Sequence, residues 1–132
     1  CGWNNYKNTL GGELMLSVGI DVSKEKSMVC IMKPMGEIVA GPYEIEHTES
    51  DLSELARMIK RLDSDVRIVM EATGIYHLPV ATTLKDAGLF VSVINPLEMK
   101  NYRSQDMRKV KTDKRDSISI ANYGIEKKLY SK

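Results

Sequence analysis

The sequence predicts an α/β fold, a mixed five-stranded sheet with flanking helices in the order β-β-β-α-β-α-β-α. Three observations predict it. Short apolar runs ended by polar or turn residues recur along the chain and read as strands. The first three follow one another across tight turns, as an antiparallel meander does. The later ones alternate with stretches whose apolar residues fall at helical spacing, the pattern of α/β units.

The strand "MLSVGIDVS", residues 15–23, is apolar until it ends near Asp21. "SMVCIMK", residues 27–33, reads as the second strand, and the Pro and Gly of "KPMG" turn the chain. "EIVAGPYEIE", residues 37–46, reads as a third strand, broken or ended near Gly41 and Pro42. In residues 48–62, Leu52, Leu55, Ala56, Ile59 and Leu62 share one helical face, with Thr48 or Ser50 as the cap. "VRIVME", residues 66–71, is strand-like, and "ATG" turns the chain after it. Residues 76–88 read as a helix carrying Leu78, Ala81 and Leu84, with Pro79 in its first turn and Gly88 as its stop. "LFVSVINP", residues 89–96, is the fifth strand. Residues 97–108 read as irregular or weakly helical, and a last helix is expected from about Thr112 to about Leu129. This is the element order of the ribonuclease H-like fold. That fold also carries sugar kinases and actin-like ATPases, so it does not give function by itself.

A chain of 132 residues with 42% hydrophobic and 28% charged residues suits one soluble domain with a real core. No apolar run approaches the roughly 20 residues that cross a bilayer. Cys1 and Cys30 have no metal-ligand spacing, and Cys30 reads as a buried thiol, so a reducing, cytoplasmic setting is expected. "CGWNNYKNTLGGEL" has no apolar core and is not a signal peptide. Residues 1–14 read as a tail, with Met15 the expected natural start of a domain over residues 15–132. His47 and His77 lack a partner at ligand spacing, and His77 reads as structural at a helix start. The eight methionines are scattered and read as core filling.

The net charge of +1 hides an asymmetry. Residues 1–96 carry 9 Lys or Arg against 13 Asp or Glu, a balance of −4, and residues 97–132 carry 10 against 5, a balance of +5. A basic surplus confined to the last quarter suits a polyanionic partner, and it also suits a solvated helix face.

Four carboxylates carry the chemistry. Asp21 closes the first strand and Glu71 the fourth. In this fold those strands are parallel neighbours, so their carboxyl ends meet at the edge where open α/β sheets bind ligands. Asp113 and Asp116, in "KVKTDKRDS", share one face of the last helix at i and i+3. Converged, four anions repel strongly, and divalent cations relieve that conflict. An all-oxygen set fits Mg²⁺ or Mn²⁺ better than zinc, and such ions serve phosphoryl transfer. Taken singly, each has a plainer reading: Asp113 or Thr112 as a helix cap, Asp116 as a charge favoured at a helix start, Asp21 as a turn residue.

"VGIDVSKEK", "EATGIYH" and "NPLEMKNYRSQDMRKVKTDKRDSISIANYG" together resemble the amino-terminal domain of the IS110-family transposases, which include the Piv-type DNA invertases. The resemblance runs from about Leu16 to Gly124. It implies a RuvC-like ribonuclease H fold and a DEDD tetrad, falling on Asp21, Glu71, Asp113 and Asp116. It also implies Mg²⁺, DNA cleavage and strand transfer and, in some members, a structured guide RNA. Ser117 stands where the family usually has alanine. Members carry a carboxy-terminal domain with a serine nucleophile, which no serine here matches. The chain is therefore expected to be one part of a transposase, inactive alone.

On a helical wheel of about 100° per residue, Asp113, Asp116, Ser117, Ile120 and Gly124 share one face. Ile118, Ala121, Ile125 and Leu129 form a second stripe, expected to meet a second subunit or the missing domain. Arg103, Arg108, Lys109, Lys111, Lys114 and Arg115 flank the acidic pair and are expected to hold phosphates. Three other readings compete: a Holliday-junction resolvase-like nuclease, an actin-like ATPase or sugar kinase, and a binding module with a vestigial acidic edge.

Overall fold

A computed structural model describes residues 15–34, 37–62, 65–105 and 116–126, with the side chains of Arg103, Gln105 and Asp116 outside that description. The strands are β1 (Met15–Val22), β2 (Lys26–Met32), β3 (Ile38–Glu46), β4 (Asp65–Glu71) and β5 (Phe90–Ile94). The helices are α1 (Glu49–Arg61), α2 (His77–Asp86), α3 (Pro96–Gln105) and α4 (Asp116–Glu126). The sheet order is β3-β2-β1-β4-β5. β1–β2 and β2–β3 are antiparallel, and β1–β4 and β4–β5 are parallel. The mixed five-stranded sheet expected from the sequence is the one observed.

Alternation along the strands builds two faces. Val18, Ile20 and Val22 of β1, Val29 and Ile31 of β2, and Ile68 and Met70 of β4 belong to the main core. Leu52, Leu55, Ala56 and Ile59 of α1 and Val80, Ala81 and Leu84 of α2 complete it. Each valine, leucine, isoleucine or methionine among them, taken from water, stabilises the fold by about 1.5–3 kcal/mol. Thr48 caps α1, its Oγ1 accepting the Asp51 N–H at 3.1 Å.

The opposite face carries α4. Val69 and Ile94 pack there with Met99 and Tyr102 of α3 and Ile120 and Tyr123 of α4. The rings of Tyr102 and Tyr123 meet edge to face with centroids 5.3 Å apart. Tyr123 donates to Glu98, and Tyr102 donates to Glu126 at 2.9 Å. Burial first, then the Glu98 carboxylate, pushes the Tyr123 phenol well above the ordinary tyrosine range.

The structure refines three expectations. β3 does not end at Gly41-Pro42 but runs on to Glu46, through a cis peptide and a register shift opposite Val29 and Ile31. Two residues on β2 face three on β3 there, and an edge strand tolerates both the bulge and the missing proline donor. Gly41 has φ +89, and a β-carbon on it would lie 2.4 Å from the Val29 carbonyl oxygen, so glycine is required.

Residues 96–105 form the helix α3. Among its described side chains Met99 and Tyr102 are the buried ones, which leaves a faint periodic signal. Asn95 starts it, its Oδ1 accepting the Leu97 N–H at 2.7 Å with Pro96 at the first position.

The second stripe of the last helix meets the chain's own sheet in part. Ala121 is fully buried with Cys30 and Met32 of β2, and Ile118 and Ile125 pack partly against the same cluster. The stripe is thus covered by the chain's own sheet at Ala121 and in part at Ile118 and Ile125, because α4 lies over β1 and β2. Leu129, like residues 112–115, lies outside the described residues.

Candidate active site at the carboxyl edge of the sheet

Period two decides which side chains reach the α4 face. Ile20 and Met70 point into the main core, so their successors Asp21 and Glu71 point to the other side. The β1–β4 register pairs Gly19 with Val69 and Ile20 with Met70. One residue further it sets Asp21 beside Glu71, both at the carboxyl ends of their strands. Neighbouring strands lie ~4.8 Å apart, so the two carboxylates flank one point. On their far sides Asp21 pairs with Met28 and Glu71 with Ile94. Both acids are half-buried.

Helix α4 runs antiparallel to β1 on this face. A β-carbon on Gly124 would lie 2.4 Å from Ser17 Oγ and 2.8 Å from Val69 Cγ2. Ser17 Oγ donates to the Ala121 carbonyl at 2.7 Å. A β-carbon on Gly19 would lie 2.3 Å from the Ala121 nitrogen and 2.4 Å from the Ser117 carbonyl oxygen. As β1 climbs from Ser17 to Gly19 to Asp21, α4 descends from Gly124 through Ala121 to Ser117 and Asp116. The Asp116 end of α4 therefore lies at the Asp21–Glu71 edge.

The predicted site residues divide accordingly. Asp21 and Glu71 are brought together, and α4 brings the backbone of Asp116 to the same edge. Asp113 lies outside the described residues, as do Arg108, Lys109, Lys111, Lys114 and Arg115. Arg103 lies on α3, its side chain outside the described residues. Among the described residues no three His, Cys, Asp or Glu side chains form a metal-binding group. With Asp113 and the Asp116 side chain not described, the set left to test is Asp21 with Glu71.

The loop after Glu71 is tied down by its own hydrogen bonds. Thr73 Oγ1 donates to the Glu71 carbonyl at 3.2 Å, and the Thr73 N–H donates to His77 Nδ1 at 3.3 Å. His77 is thus structural, as its place at a helix start suggests. His47 is held by Ser27, with Nε2 and Oγ 2.7 Å apart. Cys30 is fully buried, and desolvation pushes its thiol up to about 11.

Sequence reasoning misses two residues of this edge. Gly19 lets α4 touch the sheet, and its signal is a glycine inside an otherwise apolar strand. Ser117 reads from the sequence only as small, yet its buried hydroxyl has no hydrogen-bond partner among the described residues.

A sequence profile named for the DEDD transposases of the IS110 type, and described as a transposase, matches residues 18–131. The chain belongs to the IS110 transposase family. A curated relative, the transposase for insertion sequence element IS1533 of Leptospira borgpetersenii, is 27% identical over 104 residues. That alignment covers 79% of the IS110 chain and 29% of the relative, so the chain spans under a third of the relative's length. Among solved structures, Thermus thermophilus RuvC superimposes with a TM-score of 0.56 at 11% identity, covering 81% of this chain and 91% of that one. The same protein in complex with a Holliday junction substrate gives 0.55 at 11%, covering 84% and 97%. At that identity the likeness shows the fold alone, a RuvC-like ribonuclease H architecture. The family match decides for the transposase reading over the resolvase-like nuclease and the ATPase or sugar kinase. No helix of the described residues is long and apolar enough to cross a membrane.

Proposed function

We propose that this chain is the acidic catalytic domain of an IS110 transposase, in which Asp21, Glu71, Asp113 and Asp116 hold divalent cations against a DNA phosphate. The domain spans residues 15–132, and a further carboxy-terminal domain of the longer protein completes the enzyme. One observation carries this reading: Asp21 and Glu71 are lateral neighbours on one sheet face, under the Asp116 end of α4. The family's four-letter name also matches the order of the four acids along the chain.

The residues present fit a hard cation. Adjacent carboxylates on parallel strands repel one another, and an ion between them turns that repulsion into ligation. Mg²⁺ or Mn²⁺, once bound, supplies Lewis acidity and charge neutralisation at a phosphodiester. Asp21 and Glu71 would hold the ions from the strand ends, with Asp113 and Asp116 supplying the other two carboxylates. Arg103, Arg108, Lys109, Lys111, Lys114 and Arg115 hold flanking phosphates, fixing the backbone without reading sequence. A structured guide RNA is a second polyanion that the same basic segment would hold.

Asp21→Asn and Glu71→Gln, made separately in the full-length transposase, test the reading. Both are expected to abolish Mg²⁺-dependent DNA cleavage while circular dichroism and DNA affinity stay near wild type. Retained cleavage in either variant would contradict the assignment.

A further inference from the structure

We infer that Ser117 is a positioning residue of the acidic edge, its hydroxyl donating a hydrogen bond to a carboxylate oxygen of the cation-loaded site. The inference rests on the proposed acidic centre and adds a fifth side chain to it. Ser117 is 1% exposed, and its Oγ has no hydrogen-bond partner among the described residues. A buried hydroxyl left unpaired opposes folding, so such a group is retained where a partner completes it.

Its direction follows from the packing. Ser117 lies in the first turn of α4, and its carbonyl oxygen sits against Gly19. Side chains on a helix lean toward the amino end. In α4 that is the direction from Gly19 toward Asp21, because helix and strand are antiparallel. The hydroxyl therefore leans away from the close-packed Gly19 level and toward the carboxylate level. A neutral donor there offers a hydrogen bond to a ligating carboxylate, fixing which oxygen faces the ion. Outer partners of this kind are worth about 10–100-fold in metal affinity.

The test is Mn²⁺ binding by the 132-residue chain, followed by calorimetry and by the electron paramagnetic resonance of the bound ion. Wild type, Ser117→Ala and Asp21→Asn are compared, with thermal melts of each in metal-free buffer. The expected result is Mn²⁺ binding by wild type, its loss in Asp21→Asn, and about tenfold weaker binding by Ser117→Ala. The resonance spectrum of saturated Ser117→Ala should differ from wild type, and its metal-free melting temperature should equal or exceed wild type. Equal affinity and an unchanged spectrum in Ser117→Ala, with Asp21→Asn still defective, overturn the role of Ser117 and leave the acidic centre standing. A lower metal-free melting temperature in Ser117→Ala shows a structural partner for the hydroxyl and also overturns it. Absence of Mn²⁺ binding by wild type overturns both.

Discussion

Gly19 and Ala121 meet backbone to backbone: a β-carbon on Gly19 would stand 2.3 Å from the Ala121 nitrogen. This approach sets the height of α4 above the sheet, and so how far the Asp116 backbone stands from the acids on β1 and β4. Neither backbone can swing aside as a side chain would. Gly19→Ala is expected to cost about 3 kcal/mol or more in urea unfolding, at the upper end of overpacking penalties. A wild-type unfolding midpoint for this variant would show that the helix is free to ride higher.

Gly124→Ala is a milder version of the same experiment. The new methyl would meet Ser17 Oγ and Val69 Cγ2, which are side-chain atoms. A loss of about 1–2 kcal/mol is expected, partly offset by alanine's better helix propensity. Combined with Ser17→Ala the two losses should not add, since the shorter side chain opens the space the methyl needs. Strict additivity in the double-mutant cycle would place the strain elsewhere.

The pH dependence of stability should appear on the alkaline side. Cys30 is raised from the ordinary 9.0 to about 11 by desolvation, and Tyr123 is raised above 10.0 by burial and by Glu98. The fold favours the neutral form of both groups. Their contribution is therefore complete below about pH 9, then falls as pH rises through the folded-state values. Denaturant titrations from pH 8 upward should show declining stability. Glu98→Gln should bring the Tyr123 ionisation down in a near-ultraviolet titration. A stability profile flat to pH 11 would contradict both assignments.

The basic segment makes a separate prediction. Reversing Lys109, Lys111, Lys114 and Arg115 to glutamate should weaken DNA binding of every sequence alike. For each phosphate no longer neutralised, the slope of log affinity against log salt should fall by about 0.9. An unchanged slope would return these residues to the role of a solvated helix surface.

How far the sequence reveals this molecule follows from where its signals lie. The five strands and α1 are legible because their apolar periodicity is strong and their ends carry caps or turns. Asp21 and Glu71 are legible because an acid closing an apolar strand is costly without a partner. The α3 helix is only faintly so, since among its described side chains just Met99 and Tyr102 bury. The passage of β3 through Gly41-Pro42 is hidden because a bulge on an edge strand depends on its partner, not on local propensity. The stripe of Ile118, Ala121 and Ile125 is legible as a stripe, but what it packs on is not. A helix wheel gives two faces but not how much of the sheet lies beneath them, and here β2 extends under the second.

The central claim is that four carboxylates, those of Asp21, Glu71, Asp113 and Asp116, share divalent cations. Crystals of the chain soaked in Mn²⁺ and measured at an anomalous wavelength test it most directly. The account predicts a peak ligated by Asp21, Glu71 and at least one of Asp113 and Asp116. Four carboxylates drawn together with no peak among them would contradict it.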